Sequence, residues 1–536
     1  MIVSNLRKQL SGKEILKDVS FTLSQKDKVG LVGVNGSGKS TLLKALSGEL
    51  ENDFGTIKTN GETIGYLKQE IIPDYDDFSI IEYLKKETKI EELEKRLHAL
   101  EENLTEENME EYGLVQSQFL ALDGYMFEEN LLNILSGLHF NKSLSCKIGT
   151  LSGGEKIKIL LAALLLKNDD IILLDEPTNN LDVEAIEWLE NYLKQSNKKM
   201  IIISHDEVFL NSIVNKIFEL KNGTIREYNL SYKDYLKQKR EEYNKEKEEY
   251  LKAQEEKEKL KKQVQKAKEW ANKGTSKKNR SDNDKIANNF ALERTNTKNI
   301  SRLSKSLENL EIPEFEEKVP IKVFFSFNNS KGNKDIILEN LICGYSDFKT
   351  PEINIVIPFG TRVRLSGGNG SGKTTVIKTI LNEIRPAAGN VKIGNEAKIG
   401  YISQNTLSTN NEESIYSYLI KQNPGVDKAQ IFILLDKFNI SYDEKDKPYS
   451  LLSPGERTRV NLVKLALEKI NILILDEITN HLDKEALDLI YELVDGYEGT
   501  IISVSHNRKY NEYLNEDVEI DISTGEVKHK IGSRRM

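Results

Sequence analysis

The chain has 536 residues, which is too long for one hydrophobic core and predicts two large domains plus a smaller segment. Its two cysteines, Cys146 and Cys343, are far apart and lack metal-ligand spacing, which excludes zinc fingers and a disulfide scaffold. The net charge is −9, no stretch approaches the ~20 apolar residues of a membrane span, and residues 1–9 lack the apolar core of a secretory signal. We therefore expect a cytoplasmic protein without a membrane partner.

The first half contains a glycine-rich loop between a predicted strand and a predicted helix. A short hairpin-like segment, Ile15 to Leu23, precedes the strand, which is predicted over Lys28 to Val34. The loop matches the full phosphate-binding pattern, and its candidate nucleotide-binding residues are Gly33, Asn35, Gly36, Ser37, Gly38, Lys39, Ser40 and Thr41. Backbone N–H groups of such a loop surround phosphates, Lys39 is placed for the β and γ phosphates, and Ser40 is a candidate Mg²⁺ ligand.

The second half repeats this loop in the same context. A strand is predicted over Arg362 to Leu365, and the candidate residues after it are Gly367, Asn369, Gly370, Ser371, Gly372, Lys373, Thr374 and Thr375. Lys373 and Thr374 take the roles that we assign to Lys39 and Ser40. Because two such loops at equivalent places make chance negligible, both halves are predicted to bind ATP and Mg²⁺.

Each half also contains an apolar strand that ends in two acids. These pairs are Asp175 with Glu176 and Asp476 with Glu477. Ligands of parallel sheets bind at the carboxyl ends of the strands, so the pairs should lie beside the phosphates. The aspartates are candidate Mg²⁺ ligands through water, and the glutamates are candidate bases that polarise the attacking water.

A further predicted strand in each half ends in Ser-His, which places His205 and His506. A single histidine of this kind is more often a packed core residue. Because each follows a strand in register with two other nucleotide motifs, we interpret both as catalytic-site sensors of the γ phosphate.

Between the loop and the acids, each half carries a motif that opens a predicted helix with serine as its N-cap. Its nucleotide-binding candidates are Ser152, Gly153, Gly154 and Glu155 in the first half, and Ser453, Gly455 and Glu456 in the second. Leu-Ser-Gly-Gly-Glu is the signature of the ATP-binding cassette ATPases, which nearly all of both halves resembles. The resemblance implies Mg²⁺-ligating Q-loops at Gln69 and Gln404, and D-loops at residues 180–182 and 481–483. It also implies head-to-tail pairing, in which each ATP lies between one phosphate loop and the other signature.

Two fused cassettes with a charged helical linker resemble the ABC-F subfamily. The first cassette carries about 35 more residues between Q-loop and signature than the second, within about 80–135, and these include the helical run Lys89 to Asn103 and the segment Tyr112 to Leu122. ABC-F proteins have a helical arm there. The predicted fold class is thus α/β, with two P-loop ATPase domains, 1–230 and 316–536, joined by a long helical hairpin over 231–315.

The linker is rich in helix formers from Tyr235 to Trp270, and a second helical pattern runs from about Lys285 to Leu310. Residues 261–305 contain 13 Lys and Arg against 4 Asp and Glu, whereas the whole chain is acidic. A solvated spacer is the plainer interpretation. The basic excess near the tip favours RNA contact, and the candidate RNA-binding residues are Trp270, Lys273, Lys277, Lys278 and Arg280.

The ABC-F resemblance implies a monomer with intramolecular cassette pairing that acts on the ribosome. The expected partners are 23S rRNA, peptidyl-tRNA and proteins of the 50S subunit, reached from the tRNA exit site. The linker resembles that of resistance members, whose tips protect the peptidyl transferase centre from antibiotics. Two alternatives stay open: a housekeeping factor that regulates elongation, and the ATPase subunit of an exporter.

Two departures from the family pattern concern the second cassette. Pro454 replaces the first signature glycine, and Ile478 stands where the first half has Pro177. A proline in the first turn of a helix is tolerated but lacks an N–H donor, so the site that uses this signature is expected to be weaker. Tyr345 is a candidate for stacking on adenine, with no clear equivalent before the first loop.

Overall fold

The computed structural model describes residues 1–10, 12–34, 36–67, 75–179, 181–275, 301–302, 304–307, 309, 332–345, 348–403, 412–438, 440–479, 482 and 484–530, without the side chains of 270–275, 454 and 485. The chain forms two compact units. One unit contains Met1–Tyr232 with Ile321–Met536, and the other contains Lys233–Pro320.

The first cassette is built on a six-stranded sheet with a helix-covered face. The strands of this cassette are β1 (Ile2–Leu10), β2 (Lys13–Thr22), β3 (Lys28–Val32), β4 (Phe54–Lys58), β5 (Ile64–Tyr66), β6 (Ile171–Asp175), β7 (Lys199–Ile203), β8 (Lys216–Lys221) and β9 (Thr224–Tyr228). The sheet order is β5-β6-β7-β3-β8-β9, parallel except for β9. β6 and β7 are buried along their whole length, as the apolar runs predict for central strands.

The second cassette repeats this sheet. Its strands are β10 (Ile336–Ile342), β11 (Gly344–Tyr345), β12 (Phe348–Lys349), β13 (Ile353–Ile357), β14 (Arg362–Ser366), β15 (Ala388–Ile393), β16 (Ile399–Ser403), β17 (Ile472–Asp476), β18 (Thr500–Val504), β19 (Val518–Asp521) and β20 (Val527–His529). The order β16-β17-β18-β14-β19-β20 matches the first sheet strand for strand. The carboxyl ends of β14, β17 and β18 therefore meet at one edge of the second sheet, as those of β3, β6 and β7 do in the first.

A smaller antiparallel sheet accompanies each main sheet. β1 lies between β2 and β4, and β10 lies between β13 and β15. The predicted hairpin-like segment Ile15 to Leu23 was wrong in one respect: it is mostly the single strand β2, and the hairpin partner is β1. The polar residues of β1 alternate with buried Val3 and Leu6, a pattern that marks a half-exposed strand.

The helices of the first cassette follow the motifs and the arm. They are α1 (Lys39–Ser47), α2 (Ile80–Glu87), α3 (Ile90–Glu102), α4 (Met109–Ala121), α5 (Phe127–Gly137), α6 (Gly153–Leu166), α7 (Val183–Gln195) and α8 (Glu207–Ile213). The helical run predicted over Lys89 to Asn103 is confirmed as α3, which packs against α4. The apolar segment of α6 is buried, because it lies between the sheet and the arm helices.

The long helix α9 (Tyr232–Thr275) has 44 residues and confirms the helical prediction for the first arm of the linker. Exposed ion pairs one turn apart run along it, such as Lys252 with Glu248 at 2.6 Å and Lys261 with Glu258 at 3.4 Å. Such pairs stabilise a helix that has little apolar surface to bury. The second predicted linker helix lies mainly outside the described residues, and the three-domain division stays a prediction.

The remaining helices belong to the second cassette. They are α10 (Lys373–Ile380), α11 (Ile415–Gln422), α12 (Lys428–Lys437), α13 (Pro454–Glu468), α14 (Lys484–Gly496) and α15 (Arg508–Leu514). α10 and α13 begin at the phosphate loop and the signature, as α1 and α6 do. Both cassettes thus place equivalent motifs at equivalent ends of strands and helices.

Candidate nucleotide sites

The two phosphate loops have the same geometry. In the first, the Nζ atom of Lys39 donates to the carbonyl oxygens of Gly33 at 2.8 Å and Val34 at 3.2 Å. In the second, Lys373 Nζ donates to the carbonyls of Gly367 at 2.8 Å and Gly368 at 3.0 Å. Both lysines are thereby held under a loop whose N–H groups can surround phosphate oxygens.

One glycine of each loop is required by its backbone and its surroundings. Gly38 has φ of +100° and Gly372 has φ of +99°, in the left-handed region. A Cβ on Gly38 would lie 2.5 Å from a methyl group of Ile15, and one on Gly372 would lie 2.9 Å from the ring of Phe348. A side chain at either position would therefore strain the loop and displace its neighbour.

The donor sets beside the loops suit Mg²⁺. Asp175 interacts with the Ser40 hydroxyl, and Asp476 interacts with the Thr374 hydroxyl. One oxygen of each aspartate is buried with no hydrogen-bond partner among the described residues. Burial raises the pKa of both carboxyls, so a cation would be stabilised there. A carboxylate with a hydroxyl is a set that Mg²⁺ completes with phosphate oxygens and water.

A serine in each phosphate loop also indicates that the loop binds a hydrogen-bonding ligand. The hydroxyls of Ser37 and Ser371 lack hydrogen-bond partners within the described part of the chain, although both are buried. Unsatisfied buried polar atoms are rare in folded proteins, and here they cluster in two equivalent loops. The residues present therefore fit bound nucleotide, which would supply phosphate oxygens as partners.

The candidate catalytic glutamates share an uncommon backbone conformation. Glu176 has φ of +52° and Glu477 has φ of +51°, and their N–H groups donate to Ile203 and Val504 at 2.9 Å. Non-glycine residues in this region carry strain that functional sites often retain. Burial raises the pKa of Glu176, against the opposing effect of nearby His205. A carboxylate with a raised pKa is a better general base.

The first signature and the second phosphate loop share one cavity. Its volume is about 430 Å³, and it is lined by Ser152, Gly154 and Glu155 from the first cassette and by Asn369, Gly370 and Glu477 from the second. This is the head-to-tail arrangement that places one ATP between two cassettes. His139, Lys142 and Lys158 also line it, and sequence reasoning missed them because they belong to no nucleotide motif.

A buried ion pair of the first cassette lies beside this cavity, which Lys158 lines. Lys158 Nζ lies 3.3 Å from Asp182 Oδ2, and the side chains are 4% and 10% exposed. Burial lowers the pKa of Lys373, while Glu477 and Asp182 oppose that shift. Asp182 of the first cassette therefore acts electrostatically on the phosphate-loop lysine of the second.

The first phosphate loop lines a separate cavity of about 330 Å³. Its lining combines the loop with both candidate acids and the histidine, and it includes Gly36, Gly38, Lys39, Ser40, Thr41, Asp175, Glu176 and His205. Leu10, Ile15, Asn179 and Ile203 complete it. All these residues come from the first cassette. The sheet topology therefore brings the three separate motifs of this half together.

Both signature helices begin with a reciprocal cap, which confirms that sequence prediction. The hydroxyls of Ser152 and Ser453 accept from the N–H groups of Glu155 and Glu456, whose carboxylates accept from the serine N–H groups. Pro454 occupies the first turn of α13 without disturbing this cap. The departure thus removes an N–H donor but leaves the start of the helix intact.

The structure describes some of the other predicted site residues in full, some without their side chains and some not at all. Tyr345 is 58% exposed and pairs with Phe348, whose ring contacts the second phosphate loop. Trp270 and Lys273 lie in α9, and their side chains are outside the described part. The predicted residues that lie wholly outside it are Asn35, Gln69, Gln404, Lys277, Lys278 and Arg280.

A roomier cavity of about 950 Å³ lies away from both loops. It is bounded by β5, α6 and the arm helices, and the residues of the phosphate loops and acid pairs do not line it. Its volume exceeds those of the two loop cavities, but no phosphate loop or acid pair lines it. The two smaller cavities are therefore the candidate nucleotide sites.

Two phosphate loops, two buried acid pairs and a signature that faces the opposite loop define a tandem ATP-binding cassette ATPase. Comparison agrees: a family model described as ABC transporter matches residues 16–179 and 351–480, and a second with that description matches 218–311. An Arabidopsis thaliana relative, ABC transporter F family member 5, is 30% identical over 97% of this chain and 74% of its own length. The chain belongs to the ABC transporter family and, within it, to the F family of ATP hydrolases.

Another relative is the putative ATP-binding protein YdiF of Bacillus subtilis, 31% identical over 99% of this chain and 81% of its own length. Among solved structures, RNase-L Inhibitor has a TM-score of 0.59 at 18% identity, covering 97% of this chain and 87% of that one. This similarity shows a shared tandem fold. Among the residues that the structure describes, no helix has the length and apolar character to span a membrane.

Proposed function

We propose that this ATPase binds the ribosome at the tRNA exit site in its ATP-bound form, and that hydrolysis to ADP and phosphate releases it. The observation that carries the proposal is the cavity shared by the first signature and the second phosphate loop. ATP in such a cavity contacts both cassettes, so binding favours their closure and hydrolysis removes the contact. A cycle of this kind suits a protein that must bind a large partner and then leave it.

The linker supports a partner made of RNA. At ~1.5 Å per residue, the 44 residues of α9 extend roughly 65 Å, far enough to act at a distance from the nucleotide. Residues 261–305 carry 13 basic against 4 acidic side chains. Basic residues beside an aromatic ring suit phosphate and base contacts, so Trp270 and Lys273 are proposed RNA-binding residues together with the basic residues 277, 278 and 280.

Two similar solved structures also support a ribosomal partner. One describes an archaeal ribosome recycling factor with a ribosomal stalk protein, with a TM-score of 0.58 at 18% identity. Another describes a model of ribosome-bound archaeal Pelota and ABCE1, with a TM-score of 0.54 at 19% identity. Both proteins share the tandem fold with this chain. We propose the cytoplasmic ribosome, with 23S rRNA, peptidyl-tRNA and 50S proteins, as its partner.

The finer proposal is that the linker tip protects the peptidyl transferase centre from antibiotics. Displacement of drug could be direct, by side chains of the tip, or indirect, by a shift of tRNA and the surrounding RNA. The stretch from Trp270 to Ile300 supplies about 30 residues for such a tip between the two linker helices predicted from the sequence. Shortening it should abolish protection but leave basal ATP hydrolysis intact.

The test compares ribosome sedimentation with and without slowly hydrolysed ATP, followed by a salt titration. Neutralising Lys273, Lys277, Lys278 and Arg280 should flatten the salt dependence by about 0.7–0.9 per lost contact. The matched control neutralises three lysines and one arginine of α9 that precede residue 261: Lys237, Arg240, Lys245 and Lys259. If the control substitutions flatten the salt dependence as much as the tip substitutions do, the tip acts only as a spacer.

Drug susceptibility then separates the functional alternatives. Cells that express the intact protein should survive drugs of the peptidyl transferase centre better than cells with the shortened tip. If the protein changes elongation without drug and protects against no such drug, the housekeeping alternative holds. If it does not sediment with ribosomes under any nucleotide, the ribosomal proposal fails.

A further inference from the structure

Six charged residues form an ionic joint between the cassettes, away from the phosphate loops. The first cassette contributes Glu190, Asp206 and Glu207, and the second contributes Lys484, Arg508 and Lys509. Arg508 pairs with Glu190 and lies 3.6 Å from Asp206 Oδ2. Glu207 lies 3.3 Å from Lys484 Nζ and 2.9 Å from Lys509 Nζ.

The joint connects the segments that directly follow the two candidate sensor histidines. Asp206 follows His205 and caps α8, accepting from the N–H groups of Val208 and Phe209 at 2.9 and 3.0 Å. Asn507 follows His506 and caps α15, whose first residue is Arg508. A shift of either histidine segment must therefore displace a partner of the ion pair.

Hydrogen bonds extend this connection towards both candidate catalytic glutamates. In the first cassette, the hydroxyls of Thr178 and Ser204 are 3.3 Å apart, and Ser204 Oγ accepts from the Asp206 N–H at 3.1 Å. Thr178 lies two residues after Glu176. The equivalent contacts in the second cassette join Thr479 to Ser505 at 3.0 Å and Ser505 to the Asn507 N–H at 3.1 Å. Two matching chains of contacts thus meet at the joint.

The burial of the joint makes it stronger than an ordinary surface pair. The side chains of Asp206 and Glu190 are only 10% and 13% exposed, and that of Arg508 is 21% exposed. Breaking a pair in such surroundings leaves a charge poorly solvated. Tyr232, the first residue of α9, is buried close enough to interact with Asp206 and Glu207.

We propose that Arg508 and Asp206 are positioning residues that couple the two nucleotide sites through this joint. The nucleotide state of one site moves its histidine segment, the Asp206–Arg508 pair transmits the movement, and the other glutamate is repositioned. This inference rests on the proposed roles of Glu176 and Glu477 as the hydrolytic bases.

The test measures ATP turnover in variants with one active site each, E176Q and E477Q. If the sites are coupled, the sum of the two single-site kcat values should differ from the kcat of the intact protein by about 5-fold or more. Arg508→Ala or Asp206→Asn is then added to the intact protein, to E176Q and to E477Q. The kcat values of the two resulting single-site proteins should then sum to the kcat of the protein that carries the joint substitution alone, within about 1.5-fold. Asp206→Asn is informative because asparagine also caps a helix, so α8 keeps its start.

The matched control is Lys392→Ala, which breaks an exposed 2.6 Å pair with Glu339 elsewhere in the second cassette. It should leave the non-additivity unchanged. Arg508→Lys, which keeps a cation beside Asp206, should retain part of the coupling lost in Arg508→Ala. Additive turnover in the intact protein, or unchanged non-additivity in both joint variants, would overturn the proposal. Normal turnover in the double variant E176Q/E477Q would instead reject the roles of the glutamates.

Discussion

The ring Nε2 atom of His205 lies 3.4 Å from Oε1 of Glu176, and the backbone N–H of His205 donates to Oε2 of the same carboxylate at 3.2 Å. In the second cassette, His506 Nε2 lies 3.7 Å from Glu477 Oε1. The backbone of His205 thus holds the carboxylate of Glu176 in place, and each imidazole ring lies beside the glutamate that follows the neighbouring strand. A water between that carboxylate and a γ phosphate would be held by both groups.

Replacing both Glu176 and Glu477 by Gln should slow ATP turnover by a factor on the order of 10²–10⁴. Glutamine keeps the shape of the side chain but cannot accept the proton of the attacking water. The measurement is phosphate release at saturating ATP, with nucleotide binding followed in parallel. ATP should still bind, and the variant should accumulate on ribosomes. Unimpaired turnover would remove these glutamates from the catalytic role.

Tyr401→Phe should weaken the binding of Mg²⁺ at the second site. The Tyr401 hydroxyl donates to Asp476 Oδ2 at 3.3 Å, whereas the buried Tyr66 hydroxyl has no hydrogen-bond partner among the residues described. Loss of a hydrogen bond to a charged group should raise half-saturating Mg²⁺ about 3- to 10-fold.

Tyr66→Phe provides the matched control for this prediction. Each tyrosine variant is measured with the opposite site silenced, so E176Q accompanies Tyr401→Phe and E477Q accompanies Tyr66→Phe. The stabilisation of the protein by ATP at graded Mg²⁺ gives a second readout. Equal shifts in both tyrosine variants would show that the hydrogen bond is not responsible.

His506 should make the protein less stable in acid. Burial, aided by Lys373, lowers the pKa of His506 from 6.5 to about 4. Between these values the unfolded chain binds a proton that the folded chain does not, so stability falls as the pH falls through that window. His506→Gln should therefore reduce the loss of Tm between pH 7 and pH 5. The exposed His529→Gln is the control, and an equal reduction there would contradict the explanation.

The sequence predicted those features that depend on contiguous residues. The phosphate loops, the acid pairs and the caps at Ser152 and Ser453 are short motifs, and α3 and α9 follow from their composition of helix formers. The pairing of β1 with β2 was missed, because register between strands depends on which faces become buried.

Contacts between distant segments could not be predicted in this way. Lys158, Tyr401 and Arg508 belong to no nucleotide motif, and each contacts a partner that is distant in the sequence, so these contacts appear only in the folded structure. The Lys158–Asp182 pair illustrates this, because one partner is on the signature helix and the other caps α7. Burial gives these charges effects that their spacing in the sequence does not reveal.

Pro454→Gly should strengthen ATP binding at the site that uses the second signature. Proline lacks the N–H that glycine provides at the start of a signature helix, and the Ser453–Glu456 cap is already in place to hold α13. One added hydrogen bond to a phosphate is worth about 1.5 kcal/mol, or roughly tenfold in affinity, less a few tenths for the freer backbone. The measurement is the ATP affinity of E176Q, in which nucleotide at the first phosphate loop is not hydrolysed, with and without Pro454→Gly. Gly153→Pro is the reciprocal variant, since a Cβ at Gly153 meets no atom within 4 Å. It should weaken ATP binding in the E477Q protein by a similar factor, and a change in neither variant would show that this N–H does not contact nucleotide.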